Sequence, residues 1–304
     1  MPLLFTLDPA LPLFKPLYDG LPAEAGALEY RHFPDGETYL RVETPVAGRN
    51  CILLADLTRP DTKFLPLQFL AATLRELGAD SVGLVAPYLC YMRQDRRFQS
   101  GEALTSRLFA RWISREVDWL ITVDPHLHRY HSLAEIYSVP ACALAGAPVL
   151  VHWLTQRGEP CLLVGPDAES RQWVERIAQQ CGLPFIVGNK ERRGDRDVTV
   201  QLPEITAEQA ALHSAVIVDD VISSGHTVLQ TIARLQAAGF TAIDCLAVHG
   251  LFAGDARQRL LSAGVRHLVV SNSIPGAAPM VDLCPLLLQP IHQMLADLRH
   301  RHGA

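Results

Sequence analysis

"AVIVDDVISSGHTVLQTIARLQAAG", residues 215–239, decides the fold. An apolar run of Ala, Val and Ile leads into two adjacent aspartates. A short loop of Ser, Gly and Thr follows, and an apolar-periodic segment closes the stretch. Val228, Ile232, Leu235 and Gln236 follow helical spacing, with Leu229 and Ala233 widening the stripe, and Gly239 suits the left-handed position that ends a helix. Residues 51–91, "CILLADLTRPDTKFLPLQFLAATLRELGADSVGLVAPYLCY", repeat the order: apolar run, Asp56, polar loop, amphipathic segment, Gly78, apolar run. A strand, a helix and a strand at this spacing make a βαβ unit with parallel strands.

Working outward, "VDWLITVDPH" (117–126) reads as a buried strand ending at Asp124 and His126, and "PCLLVGPD" (160–167) as another ending at Asp167. "ALTSRLFARWIS" (103–114) and "SRQWVERIAQQCG" (170–182) supply helices between them. Strands alternating with helices along a duplicated chain predict an α/β protein of two similar, doubly wound domains. Pro140, Gly146 and Pro148 place the crossing between them around 143–154.

The 304 residues, 49% of them hydrophobic, suffice for one large or two medium cores. A net charge of -5 gives no electrostatic reason to expect nucleic acid. The opening "MPLLFTLDPALPLF" lacks a basic n-region, and Asp, Arg, Pro or Gly breaks each apolar run. No signal peptide, no membrane span and a cytoplasmic location are therefore expected. The seven cysteines form no CxxC pair and mostly sit in apolar runs, which predicts buried thiols rather than disulfides or a zinc site.

Ligands of open parallel sheets bind beyond the carboxyl ends of the strands. Here those ends carry Asp124 with His126, Asp167, Asp219 with Asp220, and Arg93 with Gln94. An Asp after a strand is more often a helix cap than a reactive group. In "VDDVISSGHT" (218–227), backbone N–H groups at a helix start, beside Ser223, Ser224, Gly225 and Thr227, suit a phosphate. Asp219 and Asp220 would repel that phosphate unless they turn toward hydroxyls or a divalent cation. A ribose phosphate meets both demands. In the alternative, Ser223 caps the helix and Asp219 is a turn residue; residue types alone do not separate the two. "NKERRGDRDVTVQLPE" (189–204) gathers Lys190, Arg192, Arg193 and Arg196, either as a solvated face or as an arm that closes on a polyphosphate.

Taken together, "FPDGE" (33–37), "PYLCYMRQDRRF" (87–98), "VDPH" (123–126), "GPD" (165–167), "NKERR" (189–193) and "VDDVISSGHT" stand in the order found in ribose-phosphate pyrophosphokinases. The chain resembles that family over nearly its whole length, and "SGEAL" after "RQDRRF" together with Ser223 resembles its archaeal-type branch. The resemblance implies two tandem phosphoribosyltransferase-like domains with mostly parallel central sheets. The N-terminal one, on the ATP side, would span 1–143 with the C-terminal helix 286–304 joining it; the C-terminal one, on the ribose 5-phosphate side, would span 144–285.

By the same resemblance, the reaction is Mg²⁺-dependent transfer of the diphosphoryl group of ATP to the anomeric hydroxyl of ribose 5-phosphate, giving 5-phosphoribosyl 1-diphosphate and AMP. Asp219 and Asp220 would hold the ribose hydroxyls, and Ser223, Ser224, Gly225, His226 and Thr227 would wrap the 5-phosphate. Arg93 and Gln94 would contact ATP. Phe33, Asp35 and Glu37 would reach the adenine and ribose of ATP from a neighbouring subunit, which implies a homo-oligomer, dimer or hexamer. His126 and Asp167 would serve magnesium, and Lys190 and Arg192 would lie on a catalytic arm.

Three positions depart from the family pattern. His226 stands where a second glycine is usual, and a non-glycine residue at positive φ is uncommon. Ser223 replaces the Asp of the common bacterial loop, and Glu191 separates the two cations of the arm. A non-catalytic, nucleotide-binding relative that regulates a true synthetase is the second reading; retention of Lys190, Arg192, His126, Asp167 and both loop aspartates weighs against it. The extra histidines His128 and His131 read as surface residues.

Overall fold

The computed structural model describes residues 1–127, 129–192, 198–276 and 280–302; His128, Arg193 and Arg196 lie outside them. The chain forms two compact units, one of Met1–Ala145, Ser273–Pro275 and Leu283–Ala304, the other of Gly146–Asn272 and Gly276–Asp282.

In the first unit the strands are β1 (Leu3–Phe5), β2 (Glu24–Ala25), β3 (Leu28–His32), β4 (Thr38–Val42), β5 (Asn50–Leu54), β6 (Ser81–Val85), β7 (Trp119–Val123) and β8 (Ala141–Leu144). Its helices are α1 (Phe14–Gly20), α2 (Phe64–Glu76) and α3 (Thr105–Glu116). Six strands make one sheet in the order β2-β1-β5-β6-β7-β8, all parallel. β5, β6 and β7 are near-continuous apolar runs because both faces of a parallel sheet are covered, and β6 and β7 are buried along their whole length. Gly83 is required where β6 passes β7: a Cβ there would lie 1.9 Å from Trp119 Cε2. β3 and β4 form a separate antiparallel hairpin. The terminal helix, which follows the second unit in sequence (Cys284–His302), packs on α1, and a Cβ on Gly20 would meet Leu288 Cδ2 at 2.9 Å.

The second unit contains α4 (Ala147–Arg157), β9 (Cys161–Gly165), α5 (Arg171–Cys181), β10 (Phe185–Val187), β11 (Asn189–Arg192), β12 (Val198–Gln201), α6 (Ala207–Leu212), β13 (Ser214–Ile222), α7 (His226–Ala237), β14 (Ile243–Gly250), α8 (Ala256–Ser262), β15 (Val265–Ser271) and β16 (Met280–Val281). Its main sheet runs β10-β9-β13-β14-β15-β16, again all parallel. The duplicated α/β architecture expected from the repeat is thus present. Gly239, at φ +97°, follows the end of α7 in the left-handed region.

The first unit gives way to the second between Ala145 and Gly146, inside the stretch 143–154 where the crossing is expected, and α4 begins directly after it with Pro148 in its first turn, where a missing N–H costs nothing. One local expectation differs from the structure. β13 does not stop at its aspartates. It continues to Ile222 because β14 runs beside it, pairing Asp219 with Ala247, Val221 with His249 and Ile222 with Gly250. All seven cysteines are free thiols, buried or half-buried. Among the described residues, no helix is long and apolar enough to cross a membrane.

Candidate active site

In the second unit the polar residues gather at the carboxyl ends of β9, β13 and β14. Asp167 follows β9, and its Oδ1 accepts from the N–H groups of Glu169 (3.0 Å) and Ser170 (3.2 Å), so it caps the short 3-10 turn Ala168–Ser170. Asp219 and Asp220 stand half-buried on the neighbouring strand, and the Asp220 N–H donates to Asp219 Oδ1 at 3.0 Å. Burial, the adjacent Asp220 charge and then the Asp167 charge push the Asp219 carboxyl well above its ordinary range. Three carboxylates are therefore held close enough to repel one another, an arrangement that sugar hydroxyls or a hard divalent cation would relieve.

Beyond Ile222 the chain turns through Ser223 and Ser224. Gly225 takes φ +73° directly before α7, and no side chain caps the helix. A phosphate at this point would meet N–H groups that need an acceptor, together with the positive end of the helix. His226 is the first residue of α7 and does not have a positive φ, so the left-handed turn falls on Gly225 alone and the histidine is not strained. Thr227 follows within the first turn. The Ser223 carbonyl accepts from Ala253 N–H (3.0 Å) and the Ser224 carbonyl from Arg259 Nη2 (3.1 Å), which fixes the loop from the β14–α8 side.

Lys190 and Arg192 lie on β11, paired in the antiparallel hairpin β11–β12 with Val200 and Val198. Gly188 leads into it, and a Cβ there would come within 2.8 Å of the Pro166 carbonyl oxygen, so the hairpin springs from beside the Asp167 turn.

The remaining residues belong to the first unit. Arg93 is exposed and Gln94 half-buried after β6. Gln94 is held by Thr105 Oγ1 (3.2 Å to its Oε1) and by Ser106 Oγ (3.0 Å to its carbonyl) at the start of α3. Glu102 closes the loop by accepting from the Phe98 N–H (2.6 Å) and the Gln99 N–H (3.1 Å). Phe33, Asp35 and Glu37 form the tip of the β3–β4 hairpin, where Phe33 N–H donates to the Glu37 carbonyl (2.8 Å) and Gly36 adopts φ +91°. Phe33 is 41% exposed, edge-on to Tyr39. His126 follows β7 at φ 52°, with Asp124 at φ 38°, an uncommon backbone for non-glycine residues, though Asp and His are among the types that tolerate it best. Among the described residues no three His, Cys, Asp or Glu side chains form a ready-made metal cluster.

The first unit's copy of the loop is built differently. Asp56, the repeat partner of Asp220, is bound by Thr58 N–H (2.9 Å), Thr58 Oγ1 (2.9 Å) and Lys63, so its carboxylate is committed within the loop. Buried polar residues not singled out from the sequence are His249 near the end of β14 and Ser271 and Asn272 where β15 ends. The polar residue after each apolar run was their signal.

Two family models match the chain: the N-terminal domain of ribose phosphate pyrophosphokinase over residues 3–116 and the phosphoribosyl transferase domain over 132–270. The ribose-phosphate pyrophosphokinase of Methanopyrus kandleri is 30% identical over 284 residues, 93% of this chain and 96% of its own length. That of Sulfurisphaera tokodaii is 30% identical over 271 residues, 87% of this chain and 91% of its own. The crystal structure of phosphoribosylpyrophosphate synthetase from Mycobacterium smegmatis superimposes with a TM-score of 0.84 at 21% identity, covering 98% of this chain and 100% of that one, and shows the same fold.

Proposed function

The chain belongs to the ribose-phosphate pyrophosphokinase family, and we propose that it transfers the diphosphoryl group of ATP to the anomeric hydroxyl of ribose 5-phosphate, with magnesium, releasing AMP. The observation that carries this reading is the sequence of groups along β13 and α7: two carboxylates, then a glycine-turned, uncapped helix start. One end matches a diol and the other a phosphate. In this reading Asp219 and Asp220 orient the ribose through its hydroxyls, and the Ser223–Thr227 turn anchors the 5-phosphate.

The negative charge that Asp220 and Asp167 place around Asp219 favours a divalent cation nearby, with further oxygen donors coming from the substrates, since hard oxygen ligands are what such an ion needs. His126 in the first unit and Asp167 in the second would each serve a magnesium site, and the ion, when bound, would supply charge neutralisation on the phosphoryl oxygens. Arg93 and Gln94 bind ATP, and Phe33, Asp35 and Glu37 complete its site from a neighbouring copy of the chain, so the active form is a homo-oligomer, dimer or hexamer. Diphosphoryl transfer depends on positioning and charge stabilisation more than on covalent help. Attack by the anomeric oxygen on the β-phosphorus builds negative charge on the phosphoryl oxygens, which Lys190 and Arg192, on the hairpin that starts beside the Asp167 turn, would stabilise.

Phosphorus NMR of the protein with ATP, Mg²⁺ and ribose 5-phosphate tests the proposal. AMP appearing with a sugar 1-diphosphate is the expected result. Intact ATP after long incubation with folded protein would overturn it in favour of the regulatory relative.

A further inference from the structure

His226, Gln230 and Arg234 recur every fourth residue along α7 and so share one face of it. That face meets β12 at one residue. Gln230 Oε1 accepts from the Val200 N–H at 3.0 Å, and Arg234 Nε donates to the Val200 carbonyl at 3.3 Å. In an antiparallel pair, the N–H and C=O of one residue point together, either at the partner strand or away from it. Those of Val200 point away from β11, and α7 side chains satisfy this edge of β12. Val200 is buried, and its register partner on β11 is Lys190.

Gln230 also reaches the other way. Its Nε2 lies 3.0 Å from His226 Nε2. The Val200 N–H needs an acceptor, which fixes the amide with its oxygen toward β12 and its NH₂ toward His226. An NH₂ group only donates, so His226 Nε2 is the acceptor and the imidazole carries its proton on Nδ1; the hydrogen-bond network assigns this tautomer.

We propose that Gln230 is a positioning residue, joining the turn that anchors the 5-phosphate to the strand pair that carries Lys190 and Arg192. This rests on the reading of the site given above. His226 opens α7 directly after Gly225, so a ligand seated in the turn bears on one end of the chain His226–Gln230–Val200, and the residue opposite Lys190 stands at the other.

The test compares product formation by wild type, His226→Ala, Gln230→Ala and the double variant, with magnesium and both substrates. Gln230→Ala removes both hydrogen bonds of the link, but bonds in series couple the ends no more strongly than one bond of ordinary strength, which predicts a kcat lowered about three- to ten-fold. Its KM for ribose 5-phosphate should change less than about two-fold, because in the reading given above the residue acts through His226 and Val200 and not on the sugar. The double variant should lose no more kcat than the worse single one, as residues acting through one chain are not additive. A purely structural role would lower Tm and leave kcat alone. Wild-type kcat in Gln230→Ala, or losses that multiply in the double variant, would overturn the proposal. A wild type that forms no product overturns the reading of the site and this proposal with it. Imidazole ¹⁵N NMR of wild type gives an answer independent of any variant's folding in solution kinetics: Nε2 unprotonated and Nδ1 protonated supports the link, and the reverse tautomer removes it.

Discussion

The N–H of Asp220 donates to Asp219 Oδ1 at 3.0 Å, so the Asp219 carboxyl folds back along the strand onto its neighbour's backbone, within reach of the Asp220 charge. A regular strand would separate the two side chains by its pleat. The contact concentrates charge where Asp167 already contributes, and the raised Asp219 carboxyl follows from burial and these two neighbours.

Replacing Asp219 with Asn should therefore stabilise the protein without ligands and impair it as an enzyme. For an acid whose folded-state pKa is raised, the unfolded chain ionises first. Stability falls as pH climbs from the ordinary value, about 4, toward the folded one. Asp219→Asn removes that loss, so its Tm at neutral pH should exceed that of wild type in scanning calorimetry. Magnesium with ribose 5-phosphate should raise the wild-type Tm more than the variant's. A variant no more stable than wild type in ligand-free buffer would show that the carboxylates are not in conflict.

Asp220→Ala should act on the sugar and spare the nucleotide. Its carboxylate, on β13 just before the Ser223–Thr227 turn, is proposed to hold the ribose hydroxyls, while the residues proposed for ATP, Arg93 and Gln94, stand after a strand of the other unit. Losing hydrogen bonds to a charged group predicts a fall of roughly ten- to a hundred-fold in kcat/KM for ribose 5-phosphate. ATP affinity, measured by equilibrium binding, should stay within about two-fold. Unchanged sugar kinetics would remove Asp220 from the site.

Lys190→Ala should lower turnover far more than ATP binding. A cation that meets charge only as it develops contributes to the transition state and little to the ground state. Single-turnover rates and nucleotide titrations separate the two quantities. Equal losses in both would make Lys190 a binding residue instead.

The repeat and the continuous apolar runs made the two parallel sheets legible, because burial on both faces writes itself into every strand. The Asp-Asp-loop-helix stretch made the glycine turn and the start of α7 legible too, since turn chemistry is local. What stayed hidden is long-range. Nothing near Val200 says that Gln230, thirty positions on, will satisfy its N–H, and nothing near Ser224 announces Arg259. The extension of β13 past its aspartates was also hidden, because it depends on how far β14 runs beside it. His226 looked like a departure that would strain the loop; only the backbone shows that Gly225 takes the positive φ by itself.

Asp244 is the clearest case, and it yields a test of the fold itself. In "AIDCLAV" it interrupts a buried strand with no local reason. In the structure it is fully buried beneath Arg157 and Arg266, at 2.5 and 2.9 Å, while His267 Nδ1 lies 2.9 Å from its other oxygen. Burial works to raise its pKa, but the hydrogen bonds and charges of these partners outweigh it and hold the carboxyl below its ordinary value. Such a group contributes stability that is present above the unfolded-state value, about 4, and is lost as pH falls through the folded one. Asp244→Asn leaves the Arg157 guanidinium buried without its counter-charge, although Glu159 still faces it at 3.0 Å. The expected cost is about 3 kcal/mol, at the low end for a broken buried pair. Denaturant unfolding measures that cost, and its pH dependence carries the diagnosis. Below about pH 4 the wild type should lose stability more steeply than Asp244→Asn, so that the two curves converge in acid. Parallel curves would mean that the partners do not hold the charge of Asp244 and that the cluster serves packing alone.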